Sequence, residues 1–200
     1  MLDKHFIVQT RPQADGGNIV FWRDYRVTVL GARLFRLEQS KNKRFRDEAT
    51  QAVWFRDMPK VEFTFTDEGE TAVVDTGACR LILSKDRGRV CVERGGKRVL
   101  ANNEGNLLGT YRTLDNCNAD VYSRPWLNEP SRKIELETGV CSKTGVAVLD
   151  DSASLTLAGN GEVQNERADG TDEYIFAFGD DYRGAVRALY QITGAPPVVL

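Results

Sequence analysis

The sequence predicts an all-β fold, a large β-sandwich with one C-terminal helix. Three observations predict it. Apolar and polar residues alternate with a period of two along much of the chain, the pattern of half-buried strands. About a dozen such runs follow one another with turn residues between them, which suits a sandwich rather than a parallel α/β sheet. Only one segment, near the end, carries a helical period.

The strands can be placed in order. Tyr25, Val27 and Val29 alternate with Arg26 and Thr28, and the turn Gly31-Ala32-Arg33 leads into a partner strand from Leu34 to Glu38. Val61, Phe63 and Phe65 share one face of the cleanest alternating run. Cys79, Leu81 and Leu83 form another face, and Asp86-Arg87-Gly88 turns the chain into Val90 and Val92. Gly95-Gly96 then reads as a two-residue hairpin loop before Arg98, Val99 and Leu100. Later strands are expected at Ile134 to Glu137, Val146 to Leu149, Ser154 to Leu157 and Glu173 to Phe178.

Between Asn102 and Pro130 the alternation stops, and amides, glycines and prolines interleave with Tyr111, Tyr122 and Trp126. Long irregular stretches inside a compact domain tend to be functional or disordered. The helix is expected after Asp180 or Asp181 as N-cap, with Tyr182, Ala185, Val186 and Leu189 on one face. Thr193-Gly194 ends it. Residues 195–200 (APPVVL) read as a stiff linker entering a further strand. Residues 1–194 are therefore expected to form the sandwich, and 195–200 to begin a linker to a further domain.

Composition narrows the function. The chain is 41% hydrophobic and 28% charged, enough apolar material for a core. Its 27 basic and 29 acidic residues give a net charge of −2, without the basic excess that nucleic acid or an anionic membrane demands. No apolar run approaches the ~18 residues of a membrane span. Met1 to Thr10 mixes Asp3, Lys4 and His5 into its apolar residues, unlike a signal peptide. The expected location is cytoplasmic. Cys79, Cys91, Cys117 and Cys141 make no metal-type pair and are read as reduced, structural thiols.

The residues that chemistry would need are mostly missing. His5 is the one histidine, so nucleophile systems built on histidine have little to work with. No glycine-rich loop joins a strand to a helix, which leaves phosphate and dinucleotide cradles without support. Carboxylates abound, as glycoside hydrolysis requires, but none forms a convincing pair. Asp150-Asp151 reads as a turn or cap, Asp180-Asp181 as a helix N-terminus, and Asp57 before Met58-Pro59 as a structural corner. Trp22 and Trp54 read as core, whereas Trp126 is open to both sugar stacking and loop packing. No catalytic residue, metal ligand or cofactor is assigned.

Several stretches, taken in order, resemble the N-terminal domain of glycoside hydrolase family 31, the α-glucosidase and α-xylosidase group. They are residues 25–38 (YRVTVLGARLFRLE), 45–53 (FRDEATQAV), 56–59 (RDMP), 105–115 (GNLLGTYRTLD), 146–152 (VAVLDDS) and 178–182 (FGDDY). The stretch at 105–115 is the most distinctive. Departures occur at Val146, where the family carries tryptophan, at 141–145 (CSKTG), and from Tyr122 to Arg132.

The resemblance implies a galactose-mutarotase-like β-sandwich that packs on a (β/α)₈ catalytic barrel and lends a loop to its active site. The barrel would carry the catalytic aspartates, and its motif does not occur here. The chain is thus expected to be the non-catalytic domain of an α-glucosidase-like enzyme. Its partners would be its own barrel and an oligo- or disaccharide. Asp115 is the implied substrate-binding residue, with Arg112 and Thr113 orienting it and Trp126 offering a stacking face. Asp115 as the closing residue of an Asx turn stands beside that reading. A free-standing carbohydrate-binding or structural module is the alternative for the whole chain. An aldose epimerase of the same sandwich type is rejected, because it needs histidine inside the sheet.

Overall fold

The computed structural model describes residues 9–86, 90–109, 136–159, 161–164 and 169–195. Thirteen strands and one helix fall within these residues, and every strand pairing is antiparallel.

The first sheet contains β1 (Ile19–Trp22), β2 (Tyr25–Gly31), β3 (Leu34–Gln39), β10 (Ala147–Asp150) and β13 (Thr171–Phe176), in the order β1-β2-β3-β13-β10. The second contains β5 (Thr64–Asp67), β6 (Thr71–Asp75), β7 (Arg80–Ser84), β8 (Cys91–Arg94) and β9 (Lys97–Leu100), a meander in sequence order. A small third sheet pairs β4 (Ala49–Thr50), β11 (Thr156–Leu157) and β12 (Val163–Gln164) in the order β12-β11-β4. The helix α1 spans Tyr182–Thr193.

The two five-stranded sheets share one apolar core. Tyr25, Val27, Val29, Phe35, Leu37, Val148 and Ile175 come from the first sheet, and Ala72, Val74, Leu81, Leu83 and Val92 from the second. This is the alternation expected from the sequence, with odd-numbered residues of β2 and β3 facing inward. The hairpin at Gly95-Gly96 also forms as expected. Its residues take φ of +55° and +76°, the pair of positive values that a two-residue turn matching the strand twist requires.

The other face of the first sheet is not solvated. A second cluster there packs Leu30, Leu34, Tyr174 and Phe176 against Val53 and against Ala188 and Ile192 of α1. Arg26, Thr28, Arg36 and Glu38, read from the sequence as the polar side of half-buried strands, are all buried. The first sheet is therefore a middle layer.

Three further expectations change. The run from Val61 becomes strand only at Thr64; Val61 and Phe63 pack at the core edge, while Phe65 is exposed. Leu136 and Glu137 are not in a strand, and Ile134 lies outside the described residues, as do Arg87 and Gly88 of the Asp86 turn. In α1, Asp181 caps the N-terminus by accepting from the Gly184 N–H, as expected. The buried face, however, is Ala185, Ala188 and Ile192, with Tyr182 and Val186 exposed. Leu189 is partly buried and packs on the same cluster, as expected.

Candidate functional site

The most polar part of the interior lies on the outer face of the first sheet. Arg26 on β2 faces its cross-strand partner Glu38 on β3, and Glu38 in turn faces Asp172 on β13. Two carboxylates side by side would repel, so cations must lie between them. Arg26 Nε and Nη2 donate to Glu38 at 2.6 and 3.0 Å. Arg36 Nε and Nη2 donate to Asp172 at 2.8 and 2.7 Å, a two-pronged pair.

The segment after β3 closes over this row. Arg46 donates from Nη2 to Asp172 at 2.9 Å and to the Asp151 carbonyl at 3.0 Å. Its own carbonyl accepts from Arg26 and Arg36, both at 2.8 Å. Arg56 donates from Nε to the Tyr174 hydroxyl at 2.7 Å. Asp151, wholly buried, accepts from the Thr50 hydroxyl and lies 3.5 Å from Arg46 Nη2. Phe45 lies under the Arg26 guanidinium at 5.0 Å.

Burial and charge compete at each of these groups. Burial would raise the Asp172 carboxyl, but Arg36, Arg56 and Arg46 outweigh it and bring it down to about 2. Burial opposes the charge on Arg36 as well, and Tyr174 and Asp172 overcome it and hold Arg36 well above its ordinary value. Burial pushes the Tyr174 phenol up to about 12. Asp151 goes the other way from Asp172, because burial wins there and raises it. The charged members are closed off from solvent except Asp47, which receives Arg26 Nη1 at 2.7 Å. The cluster ties the 44–56 segment to the sheet and offers no opening for a substrate.

A second polar assembly lies at the edge strand β10. The Asn103 side chain pairs with the Val148 backbone in both directions, donating to its carbonyl and accepting from its N–H at 2.9 Å each. It thus takes the place of a strand. Asn106 accepts from the Gly139 N–H at 2.9 Å and donates to the Gly139 carbonyl at 2.8 Å. Ser142 Oγ donates to the Glu104 carbonyl at 2.8 Å, and the Gly109 N–H donates to the Glu137 carbonyl at 2.6 Å. Residues 102–109 and 136–146 are held together as a ribbon by these contacts, and Gly109 and Glu137 face each other at its end.

Asp115, Arg112, Thr113 and Trp126, the residues singled out from the sequence, lie outside the described residues, as do His5 and Cys117. Trp22 is core, stacked on Tyr25 at 6.0 Å, as expected. Trp54 is half-buried beside the end of α1, where its backbone N–H donates to the Ile192 carbonyl. Asp57 forms a surface ion pair with Arg11 at 2.5 Å, in keeping with a structural corner. Asp150 closes a turn by accepting from the Ser152 N–H, whereas Asp151, read with it as a turn, belongs to the buried cluster. Cys79 and Cys141 are free thiols. Among the described residues no helix is long and apolar enough to cross a membrane.

Sequence reasoning missed the buried cluster as a unit. Its signal was present, because 45–53 and 56–59 contribute Arg46, Thr50 and Arg56, and both stretches carry the family resemblance. In this chain the two stretches lock onto the sheet.

No protein-family profile matches the chain, and no curated protein does. Solved structures do match. The glycoside hydrolase family 31 dextranase of Flavobacterium johnsoniae, complexed with glucose, matches with a TM-score of 0.51 at 13% identity, over 87% of this chain and 26% of that one. A family 31 α-xylosidase from a soil metagenome, complexed with xylose, matches with a TM-score of 0.46 at 10% identity, over 91% of this chain and 34% of that one. The fold of this chain is thus shared with part of a family 31 enzyme, and the chain spans about a quarter of the dextranase's length.

Proposed function

We propose that this chain is the non-catalytic N-terminal sandwich of a family 31 α-glycosidase, supporting a catalytic barrel and lending the segment after Gly109 to the substrate site. One observation carries the reading: the fold agrees with the dextranase over 87% of this chain but only 26% of that one, so the likeness is to a portion of an enzyme. The sequence stretches that follow the family's order add to it; 105–115 begins in the Asn106 ribbon and contains Asp115. Cytoplasmic location belongs to the same proposal, supported by Cys79 and Cys141, which form no disulfide.

The test is enzymatic. The 200-residue chain is assayed on dextran and on an aryl α-glucoside, alone and joined to the product of the reading frame that follows it. Activity only in the joined protein, lost when a barrel aspartate is changed, supports the proposal. Turnover by the 200 residues alone, abolished by a single carboxylate substitution within them, overturns it. A frame encoding no barrel would favour the free-standing carbohydrate-binding module.

A further inference from the structure

The β8–β9 hairpin places two cations where neither is neutralised. Arg94 and Lys97 are direct cross-strand partners on either side of the Gly95-Gly96 turn. Like charges in that relation repel and destabilise a hairpin. The neighbouring pair is arranged differently: Glu93 accepts from Arg80 at 3.0 Å and from Arg98 at 3.2 Å. Among the described residues no side-chain hydrogen bond or ion pair engages Arg94 or Lys97.

The structure makes room for the Arg94 guanidinium. A Cβ on Gly179 would lie 1.7 Å from Arg94 Nη1, and one on Gly145 would lie 2.8 Å from the Gly179 Cα. Both glycines have positive φ, +65° at Gly179 and +86° at Gly145, so their lack of side chains serves the backbone and the cation together. Beside this stack opens a cavity of about 70 Å³. Arg94, Lys97 and Thr144 supply its polar lining, and Val92, Val99 and Val146 its apolar walls. Apolar walls lower the local dielectric and strengthen whatever charge interaction takes place there. The volume is far below the ~300 Å³ of a site that encloses a whole small molecule, and suits one head group.

We propose that Arg94 and Lys97, with the glycine-floored cavity between them and Thr144, form a binding site for one oxyanion group, a carboxylate or phosphate carried by a small ligand. The guanidinium presents a planar fork matched to two oxygens, and Lys97 adds a point charge from the opposite strand. An anion there relieves the repulsion across the hairpin, which gives the site an affinity that the apo hairpin's own strain supports. This inference does not depend on the glycosidase reading.

The experiment is calorimetric titration of the 200-residue chain, at low ionic strength, with inorganic phosphate, glucose 6-phosphate, glucuronate and, as the neutral control, glucose. At least one anion is expected to bind at millimolar concentration or better, and glucose is not. Binding of phosphate alone identifies a free ion as the ligand; binding of the sugar anions as well identifies a charged substituent. Arg94→Gln should weaken binding about tenfold or more, as loss of charge-assisted hydrogen bonds does. Arg94→Lys should fall between, and Lys97→Gln should weaken binding severalfold. Circular dichroism confirms that each variant folds, and the exposed Lys97 carries the test if Arg94→Gln does not. Absence of binding by all three anions overturns the proposal, as does affinity unchanged in the folded variants.

Discussion

Arg36 and Asp172 meet side by side on neighbouring strands, two N–H donors against two carboxylate oxygens, with both residues almost wholly buried. The pair does not stand alone. Asp172 also receives Arg46 from the closing segment, so one carboxylate joins β3, β13 and the 44–56 segment. Replacing such a pair as a whole by apolar residues is often neutral, whereas removing one partner leaves a buried charge without its counterpart.

Asp172→Asn is therefore expected to destabilise the chain by about 3–5 kcal/mol. It keeps the size of the side chain but leaves Arg36 and Arg46 without their shared anion. Urea unfolding should show a lower midpoint with an unchanged slope, the sign of lost stability in an unaltered fold. An unchanged midpoint would mean that the cluster is a by-product of packing.

Acid should act through the same carboxylate. Asp172 titrates at about 2 in the fold and at an ordinary 3.8 outside it. Its ionisation therefore stabilises the fold fully above pH 3.8, and that contribution, about 2 kcal/mol, is lost as pH falls through about 2. Asp151 has the opposite sign, because its raised value favours the protonated form in the fold and costs stability as pH rises from 3.8. Between pH 4 and 2 the midpoint of Asp172→Asn should change less than that of the parent. Asp151→Asn should remove the decline above pH 4. Parallel curves for all three would refute the assignment.

The sequence made the inner face of the sandwich legible and the outer face of its first sheet not. Tyr25, Val27 and Val29 announce a core because apolar residues at period two have few other uses. Arg26, Arg36 and Glu38 on the same strands look like a solvated face, since such residues are seldom buried unpaired. Only the return of Arg46 and Arg56 from outside the strands shows that they are covered, and no local pattern encodes that return. The helix shows the same limit. Tyr182 and Val186 outrank Ala185 and Ala188 in bulk, yet the alanines are buried and the larger pair is exposed. The ribbon at Asn103 and Asn106 was visible as a run of amides, but their exchange of bonds with Val148 and Gly139 depends on contacts about 30–45 residues away.

Cys79 should behave as a structural thiol. It is 3% exposed, and its Sγ donates to the Ala32 carbonyl at 3.3 Å. Burial raises its pKa, which further lowers the reactive thiolate at neutral pH. Alkylation of the native chain by iodoacetamide, followed by mass mapping, should label Cys79 only on unfolding. Denaturant should bring its rate to that of an ordinary cysteine. Fast labelling in the native state would show that the sandwich opens locally at the start of β7.

Asn106 and Asp115 separate the scaffold from the proposed substrate contact. Asn106 makes four side-chain bonds, to Asn103, to the Leu108 N–H and to both backbone groups of Gly139. Asn106→Ala strands the part-buried Gly139 groups, at a cost of about 1–3 kcal/mol. Since ~1 kcal/mol shifts the melting temperature of a domain this size by about 2–4 °C, a fall of several degrees is expected. Faster amide exchange at Leu108 and Gly139 would place the loss at the ribbon. Asp115→Ala, made in the protein joined to its proposed barrel, should do the reverse. Its melting temperature should hold while kcat/KM falls about tenfold or more, the worth of a hydrogen bond to a charged group. Should Asp115→Ala instead lower stability and leave the efficiency of the folded enzyme intact, Asp115 closes a turn, and the segment beyond Gly109 takes no part in binding through it.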